Sequence, residues 1–444
     1  MEFEKPKLKR TEAKSLPESW ELMTVGDSCD LLTGFPFKGD LYTETEGIRV
    51  LRGENVSTGF LRWDTVKRWK YSTSGLEKYF LKEGDVVVGM DGSKVGQNRA
   101  QIQDSDLPLL LAQRVARLRA KEEMDQNFLS HMILDKRFEK YVELVQTGTS
   151  VPHISGDQIR ALTFPVPPVK EQKAIAVILS SISSKIRVNQ RMNETLEAVG
   201  QATFKRWFVD FEFPNEKGKP YKSSGGEMVN SQLGEIPQNW EVKRLEEVTE
   251  AIFSGGTPDT RNKEYWNGSC PWLSSGETSS HFIYKTQKKI TEKGIDNSST
   301  RMAKSGDIII ASAGQGKTRG QTSLCLIDTY INQSIVALRA KDNIVPNSYL
   351  FFNLSRVYPL LRAISDSHSI RGSLTTRLFK DLEISLPPFK IVSAFDSWFI
   401  SALRKIHSNL VENETLSELR DILLPRLMSG KIRVLVTKEK VEAS

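Results

Sequence analysis

Apolar residues recur at Ile175, Ile178, Ile182, Met192, Leu196 and Val199. They fit a heptad whose first seam row falls at 175, 182, 189 and 196 and whose second falls at 178, 185, 192 and 199. Lys185 and Asn189 interrupt that seam. Pro167-Pro168 stands ahead of it, where a proline at a helix start loses no needed N–H. The pattern predicts a helix of about 36 residues and about 54 Å. A second such pattern follows Pro387-Pro388 through Phe395, Trp398, Ala402, Leu416, Leu419 and Leu423, broken at Lys405 and Asn409. A polar residue in a seam costs stability and fixes register. Repetition of both seam and breaks predicts that the two helices pack on each other, with Ile175, Ile182, Asn189 and Leu196 facing Ala402, Asn409, Leu416 and Leu419.

Ahead of each helix lie about 150 residues of short apolar, β-rich runs bounded by Gly, Asn, Asp and Pro, as strands should be. Val86-Val87-Val88 and Ile308-Ile309-Ile310 are examples, each preceded by Gly-Asp. Residues 125–141 and 347–364 read as helical. These correspondences extend along the chain. The offset of 220 between Trp20 and Trp240 also aligns Gln113 with Gln333, Leu118-Arg119-Ala120 with Leu338-Arg339-Ala340, Pro167-Pro168 with Pro387-Pro388, and Asn193-Glu194-Thr195-Leu196 with Asn413-Glu414-Thr415-Leu416. Ordered matches at one offset predict a tandem duplication, with a period far longer than a solenoid repeat. The fold class expected is α+β: two globular α/β domains at residues 1–166 and 236–386, each followed by a long helix at 167–210 and 387–432. Gly218, Pro220 and Ser223-Ser224-Gly225-Gly226 mark residues 211–235 as an exposed linker. Residues 433–444 form a tail.

Composition narrows the classes. The chain has 444 residues, 39% hydrophobic and 26% charged, with a net charge of +7. That is ordinary globular material. No apolar run approaches the ~18 residues of a membrane span. The first ten residues have no apolar signal region. Cys29, Cys270 and Cys325 are too few and too scattered for a disulfide framework or a zinc site. A reducing cytoplasm is the expected location. The mild basicity permits a nucleic-acid partner without requiring one.

The duplication carries recognisable strings. They are Gly148-Thr149-Ser150-Val151-Pro152-His153-Ile154, the run Phe164-Pro165-Val166-Pro167-Pro168-Val169-Lys170-Glu171-Gln172, Trp207-Phe208-Val209-Asp210-Phe211-Glu212, Leu233-Gly234-Glu235-Ile236-Pro237-Gln238-Asn239-Trp240, Phe253-Ser254-Gly255-Gly256-Thr257-Pro258 and Pro271-Trp272-Leu273-Ser274. With them, essentially the whole chain resembles the specificity subunit of type I restriction–modification systems. One departure stands out: Ile391-Val392 replaces the Glu-Gln found at 171–172. The resemblance implies two target-recognition domains, each reading one half of a split, asymmetric DNA site. They are separated by two antiparallel helices that act as ruler and dock two methyltransferase subunits. It also implies that S-adenosylmethionine, ATP and magnesium belong to partner subunits, that two motor-nuclease subunits join some complexes, and that this chain is not itself catalytic.

Two motifs compete with that reading. Ala311-Ser312-Ala313-Gly314-Gln315-Gly316-Lys317-Thr318 follows a strand and fits a relaxed P-loop, the basis for a stand-alone nucleotide-binding enzyme. A P-loop must open a helix, and Arg319-Gly320-Gln321-Thr322-Ser323 lacks a helical period. Too few residues follow for a βαβ crossover. A basic Gly-rich β-hairpin is the better expectation, shared with residues 89–96. Leu386-Pro387-Pro388-Phe389 outlines an amino-methyltransferase motif but lacks its Asp, Asn or Ser. The five histidines are dispersed.

Base-edge and phosphate contacts are therefore expected from polar loop residues. In the first domain these are Lys38, Arg52, Asn55, Lys94, Gln97, Asn98, Arg99, Ser150 and His153. In the second they are Arg261, Asn262, Lys263, Ser274, Ser275, Gln315, Lys317, Arg319, Ser369, Arg371 and Ser373. For any one of them a solvated surface position is the plain alternative. Corresponding Gly-rich loops in both halves favour the set. Trp63-Asp64-Thr65-Val66-Lys67-Arg68-Trp69-Lys70 interleaves tryptophan with base, to touch phosphate or to fill core. Trp207, Phe208, Phe211 and Trp398 are partner-docking candidates if exposed.

Overall fold

A computed structural model describes residues 16–148, 150–313, 318–367 and 374–434. The chain forms two compact units, residues 1–186 with 415–444 and residues 187–414. In the first unit an antiparallel four-stranded sheet runs in the order Cys29–Thr33, Val115–Ala120, Val86–Gly89, Arg99–Gln101. A three-stranded sheet orders Arg68–Trp69, Ile48–Leu51 and Leu109–Leu111. Val86, Val87 and Val88 are buried on both faces, which is why this strand reads as a continuous apolar run. In the second unit Thr249–Ser254, Ile335–Ala340, Ile308–Ala311, Thr322–Cys325 and Phe282–Ile283 form a five-stranded sheet beside a four-stranded one. Each unit closes its domain with a short pair of strands, Glu21–Thr24 on Thr163–Val166 and Glu241–Arg244 on Glu383–Leu386. These pairs hold the start and end of each domain together, just ahead of its long helix.

The same buried ion pair pins both central sheets. The carboxylate of Asp85 accepts two hydrogen bonds from Arg119, both at 2.7 Å, and Asp307 accepts two from Arg339 at 2.8 and 2.7 Å. Both aspartates are 1% exposed. The bidentate geometry compensates a charge that burial otherwise disfavours, and it holds each guanidinium above its usual pKa.

Helix α1 spans Val169–Phe204 and α2 spans Phe389–Leu427. In the second unit they pack antiparallel. The side-chain amide of Asn189 donates to Asn413 Oδ1 at 3.0 Å and to Glu412 at 2.8 Å, and Asn409 donates to Asn193 Oδ1 at 2.8 Å. The two asparagine pairs are the same contact displaced by 220, a local twofold. Asn189 and Asn409 are fully buried, as the polar breaks in the heptads predicted. In the first seam row Ile175, Asn189, Ala402 and Asn409 are buried, with Ile182, Leu196 and Leu416 half-buried. The second row needs correction. Its residues are Leu179, Ile186, Asn193 and Gly200 in α1, matched by Phe399, Ile406 and Asn413 in α2. Ile178, Met192, Val199, Trp398 and Leu419 are exposed instead. Leu419 is therefore a flank residue, because the true seam alternates by four and then three from Ile175, not three and then four.

Residues 211–235 do not form a bare linker. Met228–Ser231 and Gly234–Pro237 pair as a hairpin. Phe211 and Phe213 pack on Trp240, with ring centroids 5.3 and 5.6 Å away. Tyr221 stacks on Phe213 at 4.6 Å. Aromatic side chains outweigh the Gly- and Ser-rich composition of this stretch.

Candidate nucleic-acid interface

In the first unit the sheet delivers three segments to one edge. The strand Val86–Gly89 leads into a loop that returns at Arg99, with Gly89 N donating to Asn98 O at 2.8 Å. Gln97 N and Asn98 N both donate to Lys94 O, which coils the loop. Residues 152–154 lie against it: Gly92 N donates to Pro152 O at 3.1 Å and Ile154 N to Met90 O at 2.9 Å. The turn at Arg52 completes the group, since a side chain added at Gly53 would reach Asp91 Oδ1 at 3.5 Å. Lys94, Ser150 and His153 are exposed, while Gln97, Asn98 and Arg52 are half-exposed. Arg114 joins them. Its backbone takes φ +66°, Met90 N donates to its carbonyl oxygen, and its side chain, 69% exposed, pairs with Asp91 at 2.6 Å. Sequence reasoning missed it, although the neighbouring Gln113 was aligned with Gln333.

Two candidates leave the set. Arg99 is 2% exposed. Its guanidinium donates to the backbone oxygens of Gly96, Leu134 and Asp135 and stacks on Phe138 at 5.6 Å. Burial lowers its pKa from the usual value. It braces the loop from inside and cannot reach a base. Asn55 is 1% exposed. It donates to Arg62 O and Thr65 O and accepts from Arg52 N, so it shapes the turn. Lys38 is exposed ahead of the turn Gly39–Leu41. Trp69 packs on Phe37 at 4.9 Å and Trp63 lies against core beneath Arg49, so both tryptophans do packing work.

The second unit repeats the frame. Ser312 N donates to Ser334 O at 2.8 Å and Leu374 N to Ser312 O at 2.8 Å. These are the counterparts of the Met90–Arg114 and Ile154–Met90 contacts. The strand Ile308–Ala311 pairs antiparallel with Thr322–Cys325, and Gly320 N donates to Ala311 O at 2.8 Å. The described residues 318–321 form a turn that runs straight into the strand Thr322–Cys325 instead of a helix, which does not fit a P-loop. Gln315, Lys317, Ser369, Arg371 and Ser373 lie outside the described residues. Arg261 and Lys263 are exposed on a longer loop, where Arg261 pairs with Asp259 at 2.9 Å and Asn262 accepts from Glu264 N. Ser274 and Ser275 occupy the turn equivalent to Arg52, with Ser274 donating to Glu277 at 2.9 Å. Arg319 is largely buried and pairs with Asp366.

Of the docking candidates, Trp398 is 38% exposed, Trp207 and Phe211 are half-buried and Phe208 is core. Val177, Val188, Val199, Val411 and Ile422 add exposed apolar positions on the helices. Among the described residues no helix is long and apolar enough to cross a membrane, and no group of three or more His, Cys, Asp or Glu is placed to hold a metal ion.

Comparison with known proteins places these features. Residues 17–198 and 237–411 each match the family described as type I restriction modification DNA specificity domain. The type I restriction enzyme MjaVIII specificity subunit of Methanocaldococcus jannaschii is 31% identical over 444 residues, covering 97% of each chain. The HindI specificity subunit of Haemophilus influenzae is 24% identical, over 81% of this chain and 88% of its own. The crystal structure of a type I restriction–modification S subunit from M. genitalium matches with a TM-score of 0.61 at 16% identity, covering 98% of this chain and 99% of that one, and so shares the fold. With two tandem matches spanning most of its length, the chain belongs to the type I restriction–modification DNA specificity family.

Proposed function

We propose that this chain is the sequence-reading subunit of a type I restriction–modification complex. Each globular domain reads one half of a bipartite, asymmetric DNA site. The observation that carries the proposal is the recurrence, in both units, of one backbone frame (the Met90–Arg114 and Ser312–Ser334 contacts) beneath loops whose side chains differ. Shared frame and divergent loops suit two heads that approach DNA alike and read different bases. Arg and Lys suit guanine O6/N7 or phosphate, and Asn and Gln suit adenine N6/N7. In the first head Lys94, Gln97, Asn98, His153 and Arg114 fill these roles. In the second, Arg261, Lys263, Gln315, Lys317, Ser369, Arg371 and Ser373 do.

The paired helices set the spacing between half-sites. Their exposed apolar flanks, with Val177, Ile178, Val188 and Val199 on α1 and Trp398, Val411, Leu419 and Ile422 on α2, receive two methyltransferase subunits. Those partners supply S-adenosylmethionine and the methyl transfer. Motor-nuclease subunits, where present, supply ATP, magnesium and cleavage. This chain contributes recognition and works in the cytoplasm. Methylome sequencing of cells carrying this chain with its methyltransferase tests the reading. It should return one bipartite motif with a fixed unspecified spacer. A continuous motif, or none dependent on this chain, would refute it.

A further inference from the structure

The segment following each long helix folds back onto a domain edge, and the two edges use opposite chemistry. In the first unit the segment after α2 closes on Trp20. Gly430, at φ +71°, approaches so tightly that a Cβ there would meet Pro17 at 2.8 Å. Arg433 then donates from Nε and Nη2 to the Glu171 carboxylate at 2.7 and 2.9 Å, and from Nη2 to Ser19 at 3.3 Å. Trp20 Nε1 donates to the same carboxylate at 3.2 Å. Glu171 is 6% exposed.

In the second unit the segment after α1 closes on Trp240. Position 391, equivalent to Glu171, is Ile391, half-buried in the same apolar cluster as Trp240. Position 213, equivalent to Arg433, is Phe213, 4% exposed and stacked on Trp240. The turn beneath is unchanged: Trp20 N donates to Pro17 O, and Trp240 N to Pro237 O, both at 2.9 Å. The cost of the change is visible, because Trp240 Nε1 is buried without a hydrogen-bond partner.

We infer that residues 171 and 433, with 391 and 213, form a pairing code that matches each post-helix segment to its own domain edge: ionic for Trp20, aromatic for Trp240. Duplication left two edges of one backbone plan, so geometry alone would accept either segment. Chemistry does not. Phe213 against Glu171 would strip water from a carboxylate and offer no cation. Arg433 against Ile391 would bury a guanidinium against apolar surface with no anion. An unpaired buried charge is among the most destabilising features a contact can contain. The four residues are positioning residues, each acting through the domain edge that it closes.

The test uses the full-length chain and amide hydrogen exchange read on peptides covering 428–434 and 205–213. Mismatched variants are Ile391→Glu, Phe213→Arg, Glu171→Ile and Arg433→Phe. Matched variants are Ile391→Glu with Phe213→Arg, Glu171→Ile with Arg433→Phe, and the charge reversal Glu171→Arg with Arg433→Glu. Each mismatch should speed exchange of the facing segment by about tenfold or more, and each matched pair should recover most of the protection. Exchange in the other segment should not change, which separates a local mismatch from general unfolding. For any mismatch that fails to fold, Glu171→Gln and Arg433→Lys supply the comparison, with smaller losses expected at the 428–434 peptide alone. Matched pairs exchanging as fast as their mismatches, or mismatches that leave exchange unaltered, would overturn the code.

Discussion

Replacing Arg339 with methionine removes the only side chain among the described residues that hydrogen-bonds the Asp307 carboxylate, and it does so at the centre of the five-stranded sheet. Asp307 is 1% exposed and keeps one backbone donor, Lys304 N, at 2.8 Å. Methionine conserves much of the stem volume, so the effect isolates the charge. Breaking a buried pair by removing one partner costs about 3–5 kcal/mol. With a urea slope on the order of 3 kcal/mol per molar for a unit of this size, the midpoint of that unit should fall by a little over 1 M. The assay is urea unfolding followed by tryptophan fluorescence and far-UV circular dichroism. Asp307→Asn combined with Arg339→Met should recover at least half of the loss, because the uncompensated charge is gone. A loss under about 1 kcal/mol for Arg339→Met, or a double variant no better than the single one, would refute the assignment of that pair as the pin of the sheet.

Other outcomes follow from other contacts. Asn189→Leu with Asn409→Leu should raise thermal stability, since each amide oxygen is buried without a partner and such a group costs about 1–3 kcal/mol; a fall in melting temperature would contradict this. The Glu197 carboxylate, hydrogen-bonded to His281, raises the histidine pKa above 6.5. The stability of that contact is therefore fully present below about pH 6.5 and lost as pH rises through the raised value; urea midpoints from pH 5.5 to 9 should show the loss, and His281→Gln should flatten it. In the assembled complex, Asn98→Ala should relax preference at one base position by about 1–3 kcal/mol, whereas Lys94→Ala should weaken all sequences alike and lower the salt slope by about 1. Equal effects of both variants on every sequence would remove Asn98 from the base-reading set.

The duplication, the paired helices and their buried asparagines were legible because each rests on a pattern that repeats at 220. The second seam row was not, since Ile178 and Leu179 are both apolar and either can continue the seam from Ile175. Only packing shows that Leu179 is buried and Ile178 exposed. Among the candidate residues, Gly spacing and the strand before it marked the loop at 89–98, while its contact with Pro152 and Ile154 comes from backbone hydrogen bonds that spacing does not show. Arg99 misled because an arginine next to Gln97 and Asn98 looks like one more contact. The carbonyls of Leu134 and Asp135 that hold it come from a helix some 35 residues away in sequence. Arg114 escaped notice for the converse reason: its left-handed backbone, not its neighbours, places it at the edge. Residues 211–235 looked like linker because composition cannot report that Phe213 finds Trp240.

The central claim is that two independent heads each read one half-site. Exchange of residues 16–166 for the corresponding domain of a relative with a different motif, followed by methylome sequencing, tests it most directly. One half of the motif should change, while the other half and the spacer length stay as they were. Change in both halves, or in neither, would contradict it.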